Sequence, residues 1–234
     1  MILTECTDKF SGIKKVQFGC GRSIEDGFLN VDGDFRWLSP DMRNDIVYNY
    51  TDRALTNVLQ HDLRESMPEA LREVEVIYHC HFLEHLPIDL GAIFLTQCYR
   101  LLAPGGVMRL VVPDFELWCK KYVAKDKDHF QWYKRSYLGV DNPYYVTNGQ
   151  IFTGMLYNWG HVMAYDYETL VHLLKSIGFI NISQSFWGKS NDAKFAGIEL
   201  IEDGENQRRF ESLVIECERG NSLTRTKTIP SFGV

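Results

Sequence analysis

The sequence predicts an α/β protein organised around a mostly parallel sheet. Three observations lead there. Short β-branched or apolar runs alternate with helical segments, which calls for crossover connections between parallel strands. Two of those runs, Val74–His79 (VEVIYH) and Val107–Val112 (VMRLVV), read as central strands covered on both faces. The 234 residues suit one α/β domain with an elaborated lid and a full-sized core.

In chain order, Ile13–Phe18 reads as a first strand ending in Gly19-Cys20-Gly21. Phe28–Asp32 is a second, closed by Gly33, and Val58–Leu63 a third. Between Arg36 and Asn57 the text is mixed and aromatic, with Pro40 breaking any helix. Pro68–Arg72 is a helical turn, and Val74–His79 the fourth strand. Asp89–Leu102 places Ile93, Phe94, Cys98, Leu101 and Leu102 at helical spacing, and Pro104-Gly105-Gly106 stops it. Val107–Val112 is the fifth strand, ended by Pro113-Asp114. Residues 115–161, rich in Trp, Tyr, Phe and Lys, read as a helical insertion or lid. Asp166–Ile177 is a helix, with Asp166 as N-cap and Gly178 as the C′ stop. Phe179–Trp187 is a strand, Glu199–Arg209 a loop, and Phe210–Glu218 contains the last strand. Residues 1–218 are thus expected to form one domain, and 219–234 a flexible tail.

Composition narrows the function. Lys plus Arg is 25 against 31 for Asp plus Glu, a formal charge of −6, which argues against a broad nucleic-acid footprint. Hydrophobic residues at 45% and charged residues at 24% exclude collagen, a coiled-coil rod and wholesale disorder. The 6 cysteines form no CxxC pair, so reduced buried thiols are the expectation. The opening MILTECTDKF has no apolar run, and no stretch approaches the roughly 18 apolar residues of a membrane span. A cytoplasmic enzyme fits these features.

The chemistry concentrates after the strands. Glycines at Phe18-Gly19-Cys20-Gly21 permit a tight turn and close approach of a ligand to the backbone; a plain turn is the simpler reading of that motif alone. Asp32 can accept both hydroxyls of a ribose, or serve as the turn residue of Asp32-Gly33. In His61-Asp62-Leu63 the carboxylate can accept from an exocyclic amine or cap the next turn. After the fourth strand comes His79-Cys80-His81-Phe82-Leu83-Glu84-His85-Leu86-Pro87. Strand alternation sends His79 and His81 away from Cys80, so one of the three must point into the core.

Taken in order, VQFGCG, FLNVD, HDLRESMP, VIYHCHFLEHL, QCYRLLAPGGVMRLVVPDFE and AYDYETLVHLLKSIGF resemble the class I S-adenosylmethionine (SAM)-dependent methyltransferases, nearest the type-11-like set. The resemblance spans residues 13–187. It implies a Rossmann-like seven-stranded sheet with the last strand antiparallel, a place that FESLVIECE fits. It also implies SAM as cofactor and S-adenosylhomocysteine as product. Phe18, Gly19, Cys20 and Gly21 would wrap its amino-acid part, Asp32 would hold the ribose hydroxyls, Asp62 with Leu63 would flank the adenine, and His81 would sit near the methionine part. Two features depart from the pattern: the loop after GCG is short, with Arg22-Ser23 in place of a third glycine, and Glu75 supplies the acid that often opens strand four.

Methyl transfer from a sulfonium needs alignment and exclusion of water more than it needs a triad. His81, His85 and His161 are the candidate catalytic residues, His161 as a base or as a histidine bonded to the backbone. The expected reaction is methyl transfer to O or N of a small-molecule or glycan-related acceptor, the glycan suggestion resting on analogy alone. No metal is favoured. One alternative reads His81, Glu84, His85 and His161 as a divalent metal site of an O-methyltransferase. A similar cluster, with Glu in place of His81, occurs in small-RNA 3′-end methyltransferases and some quinone-biosynthesis O-methyltransferases. The other alternative is a non-catalytic SAM-binding regulator or partner. The aromatics of 115–161 suit an acceptor pocket, with Lys120, Lys121, Lys125, Lys127, Lys134 and Arg135 offset by Asp126, Asp128 and Asp141.

Overall fold

The computed structural model describes residues 12–21, 23, 25–32, 58–67, 71–190, 192–199 and 207–220. The aromatic stretch around Pro40, the core of the Pro68–Arg72 turn and the tail from 221 lie outside the described residues. The strands are β1 Lys15–Phe18, β2 Leu29–Asp32, β3 Val58–Gln60, β4 Val74–Cys80, β5 Leu102–Pro113, β6 Phe179–Ser185 and β7 Ser212–Arg219. They form one 7-stranded sheet in the order β3-β2-β1-β4-β5-β7-β6. β1 pairs in parallel with β2 and β4, β2 with β3, and β4 with β5. β7 runs antiparallel to both β5 and β6. The order reverses at β1, between β2 and β4. In an open α/β sheet that reversal leaves a crevice at the carboxyl ends of the strands.

Helix α1 (Ile88–Leu101) links β4 to β5, and α5 (Tyr167–Ile177) precedes β6. α1 buries Phe94, Leu95, Cys98, Tyr99 and Leu101 in the main core, while Ile93, on the same apolar spacing, is 46% exposed. α5 is closed at both ends as its sequence requires. Asp166 Oδ1 accepts from Thr169 N–H at 2.8 Å, and Gly178 takes φ +119°. Its buried Leu170, Leu174 and Ile177 each contribute about 1.5–3 kcal/mol of burial. Both helices lie on one face. On the other face, Phe28, Val76, Tyr78, Cys80, Val107, Val111 and Val214 pack against Phe195 and Ile198.

Several boundaries differ from expectation. β3 ends at Gln60 rather than Leu63, because the chain turns at Leu63 into the core. β5 starts at Leu102, so Pro104-Gly105-Gly106 lies within the strand instead of before it. The insertion holds α2 (Phe115–Val123), α3 (Lys127–Tyr133), a π-turn at Lys134–Leu138 and α4 (Asn148–Tyr157). It has its own core of Trp118, Phe130, Tyr133, Leu138, Ile151 and Met155. Part of the aromatic set expected to line a pocket therefore holds the insertion together.

Candidate functional site

The tips of β1, β2 and β3 are tied to one another. Gly19 N–H donates to Val31 O at 2.8 Å, and His61 N–H to Asp32 O at 2.9 Å. Asp32 Oδ2 accepts the Gly21 N–H at 2.8 Å, so the carboxylate at the end of β2 holds the glycine turn at the end of β1. Gly19 and Gly21 take φ +61° and +52°. A Cβ on Gly19 would stand 2.6 Å from the Phe82 ring, whereas one on Gly21 would meet nothing within 4 Å. The turn is thus close-packed on one glycine and open at the next. The Gly21 backbone is open to a ligand, with the Asp32 carboxylate beside it.

The other residues of this group are placed less directly. Phe18 is buried, its ring edge-on to Phe94 at 5.5 Å, so only its backbone is available at the turn. Cys20 is buried, and that burial pushes its thiol up to about 12. Leu63 lies in the main core. Asp62 accepts from Arg64 N at 3.0 Å, from Nε at 2.9 Å and from Nη2 at 2.6 Å. That clamp lowers its carboxyl to about 2. Beside it, His61 Nε2 is a buried nitrogen with no partner.

β4 delivers the second group. His79 is wholly buried, 5.4 Å from the Phe94 ring, with both nitrogens unpartnered and its pKa driven down to about 3 by burial. It is the member of the His79-Cys80-His81 trio that enters the main core. His81 turns left-handed (φ +51°) and leads into a single 3-10 turn, Leu83–His85. Its Nε2 lies 2.8 Å from Ser212 Oγ and its Nδ1 3.4 Å from Glu84 Oε1.

Glu84 is 1% exposed, and neither carboxylate oxygen has a hydrogen-bond partner. Burial pushes its carboxyl up to about 8. His161 Nε2 stands 3.9 Å from Glu84 Oε1. Its Nδ1 is 2.8 Å from Met155 O, and a carbonyl only accepts, so Nδ1 carries the proton and Nε2 the lone pair. The His85 ring packs on His161 at 4.9 Å between centroids. One ligand atom each from Glu84, His85 and His161 lies within 4.8 Å of the others. Burial is the largest cause lowering the pKa of His81, His85 and His161, which keeps them neutral. A buried carboxylate without partners is costly unless it binds a proton or a cation. Two neutral imidazoles beside it complete a donor set suited to zinc, iron or manganese.

Sequence reasoning missed three features around this site. Phe82 covers Gly19, a long-range contact with no local signal. Arg208 Nη1 reaches Cys80 Sγ at 3.3 Å, from the segment expected to be a loop. Arg109, inside an apparently apolar strand, is 1% exposed and grips Glu199 through Nε at 2.9 Å and Nη2 at 2.6 Å, and Glu216 through Nη1 at 2.5 Å. Among the lysines of the insertion, Lys121 pairs with Asp126 at 2.7 Å and Lys120 with Glu116 at 2.5 Å.

No protein-family model matches the sequence, and no curated protein matches it. Solved structures do resemble the fold. A SAM-dependent methyltransferase from Archaeoglobus fulgidus is 16% identical at TM-score 0.49, with 92% of this chain and 90% of that one covered. An S-adenosylmethionine-dependent methyltransferase from Mesorhizobium loti is 16% identical at TM-score 0.48, covering 90% and 93%. The small-RNA methyltransferase HEN1 is 14% identical at TM-score 0.48, covering 94% of this chain and 25% of that one. Among the described residues, no helix is long and apolar enough to cross a membrane.

Proposed function

We propose that this chain is a cytoplasmic SAM-dependent methyltransferase acting on O or N of a small-molecule or glycan-related acceptor. The observation that carries the reading is the joining of three neighbouring strand tips beside the point where the strand order reverses. Gly21 hangs on Asp32, and His61 hangs on Asp32 from the other side. The antiparallel β7 between β5 and β6 supports it, because the resemblance of the motifs calls for an antiparallel last strand.

When bound, SAM supplies a methyl group already activated on a sulfonium. The chain's own work is then binding and positioning. Gly21 lets a ligand come close to the backbone, and Asp32 takes the ribose hydroxyls. His161, its Nδ1–H fixed on Met155 O, presents a basic Nε2 that removes the proton of an acceptor hydroxyl. Glu84 Oε1 lies 3.9 Å from that nitrogen. Calorimetric titration with S-adenosylhomocysteine tests the reading, with micromolar binding expected. Absence of binding at millimolar ligand would overturn it.

A second reading is favoured by one observation, the unbonded carboxylate of Glu84 beside His85 and His161. A divalent cation held by these three would orient acceptor oxygens and lower their pKa. Cobalt(II) titration checks it: a visible absorption band that wild type develops and both Glu84→Gln and His161→Ala lack is the expected result. His81, bonded to Ser212, stands outside that trio and serves to align Glu84.

A further inference from the structure

The chain leaves α4 through a 3-10 turn, Asn158–Gly160, in which Trp159 takes φ +58° and ψ +13°, followed by Gly160 at φ +82°. Left-handed backbone is unfavourable for any residue with a Cβ and an outlier for a bulky one. Glycine would occupy the position of Trp159 with less strain. The bonds of the turn do not need an indole. His161 N–H donates to Asn158 O at 3.2 Å, and the Asn158 amide donates to the Tyr145 hydroxyl at 2.8 Å.

What tryptophan adds is a ring. It lies 5.8 Å from the His161 ring, 6.3 Å from Tyr133 and 6.2 Å from Tyr137, edge-on to both tyrosines. Three neighbours therefore fix its orientation, yet 51% of Trp159 remains open to solvent. An apolar ring kept strained and half-exposed beside His161, whose Nε2 points to Glu84, is an outlier that asks for a functional explanation.

We propose that Trp159 is the stacking platform of the acceptor subsite: a planar aromatic ring lies on its exposed indole and directs a hydroxyl to His161 and Glu84. This rests on the reading of the His161–Glu84–His85 cluster as the place of the acceptor oxygen. An aromatic ring is favoured over a sugar because the exposed indole, held edge-on to Tyr137, offers a ring face whose quadrupole pairs best with another ring.

The test is an absorbance titration of the full chain with 4-nitrocatechol at neutral pH, for wild type, Trp159→Gly, Trp159→Phe and Glu84→Gln, with a melting curve for each. The expected pattern is that Trp159→Gly weakens binding about ten-fold, the size of one good ring pair. Its Tm stays at or above that of wild type, because glycine relieves the backbone, and Trp159→Phe retains affinity within a few-fold. Binding lost in Glu84→Gln but kept in Trp159→Gly leaves the cluster reading standing and overturns the platform. A Tm that falls in both tryptophan variants makes Trp159 structural and overturns it. So does tighter binding of methyl glucoside than of 4-nitrocatechol, or no binding of 4-nitrocatechol to wild type.

Discussion

His161 reaches Glu84 because Glu84 itself holds the returning chain: its main-chain carbonyl accepts the N–H groups of Val162 at 2.9 Å and Met163 at 3.1 Å. The residue whose carboxylate lacks a partner thus anchors the segment that brings an imidazole to it. The end of β4 and the exit of the insertion form one unit. In chelator at pH 7, Glu84 is largely protonated with a pKa of about 8, and glutamine is its near-isostere. Glu84→Gln is therefore expected to keep the wild-type Tm within a few degrees when metal is absent. Added cobalt or zinc at about 100 times Kd raises wild-type stability by about 2.7 kcal/mol and leaves Glu84→Gln unmoved. Equal shifts in the two proteins, read by differential scanning fluorimetry, would place the ion elsewhere.

Arg109 has every donor engaged: Glu199 and Glu216 take Nε, Nη1 and Nη2, and the carbonyls of Lys189 and Phe186 complete the set at 3.1 and 2.9 Å. Glu199 Oε2 also accepts Gly188 N–H at 2.7 Å. This clasp holds Phe186–Lys189 and Glu199 on the sheet face opposite α1 and α5. Arg109→Leu would leave the buried Glu199 and the half-buried Glu216 without their counter-ion, at a cost of about 3–5 kcal/mol. The double variant Arg109→Leu/Glu199→Leu recovers part of that loss. Urea midpoints of the single and double variants measure it, and strictly additive losses would refute the coupling.

The elements legible in the sequence are those whose signal is local. α5 carries its cap at Asp166, its stop at Gly178 and an apolar stripe of Leu170, Leu174 and Ile177 between them. The strand tips bearing Gly19, Asp32 and Asp62 are marked by an apolar run ending in a glycine or an acid. Illegible features depend on partners far along the chain. Arg109 sits in an apolar strand and reads as an interruption until Glu199 arrives from ninety positions downstream. The Glu84-His85 pair is visible as a motif, but its meeting with His161 requires the return of the insertion, which no local spacing encodes. Trp159 looks like any aromatic in a rich stretch; its left-handed backbone is a property of the turn.

The glycine turn yields a graded prediction. Gly19→Ala combines a left-handed backbone, worth about 1–2 kcal/mol, with a Cβ 2.6 Å from the Phe82 ring. Gly21→Ala carries the backbone cost alone, since its Cβ enters open space. Denaturation midpoints should rank wild type above Gly21→Ala above Gly19→Ala. Phe82→Ala, destabilising by itself, should be less so in the Gly19→Ala background. Equal losses in both glycine variants would mean that Phe82 does not press on the turn.

The insertion carries an acid-sensitive residue. His129 is buried with Nε2 unpartnered, its ring 4.7 Å from Trp118 and 5.6 Å from Phe130. Burial lowers its pKa from 6.5 to about 4, and the nearby Lys121 charge adds to the shift. Between those values the unfolded chain binds a proton that the folded one does not, so stability falls as pH falls. The contribution is complete above about pH 6.5 and is lost by pH 4, at most about 3 kcal/mol at one unit per 1.4 kcal/mol. His129→Phe keeps a ring against Trp118 and has no proton to gain. The difference in unfolding free energy between variant and wild type should therefore grow in favour of the variant as pH drops from 7 to 4, tracked by tryptophan fluorescence in urea. A difference that stays constant across that range would show that the imidazole is not buried against Trp118.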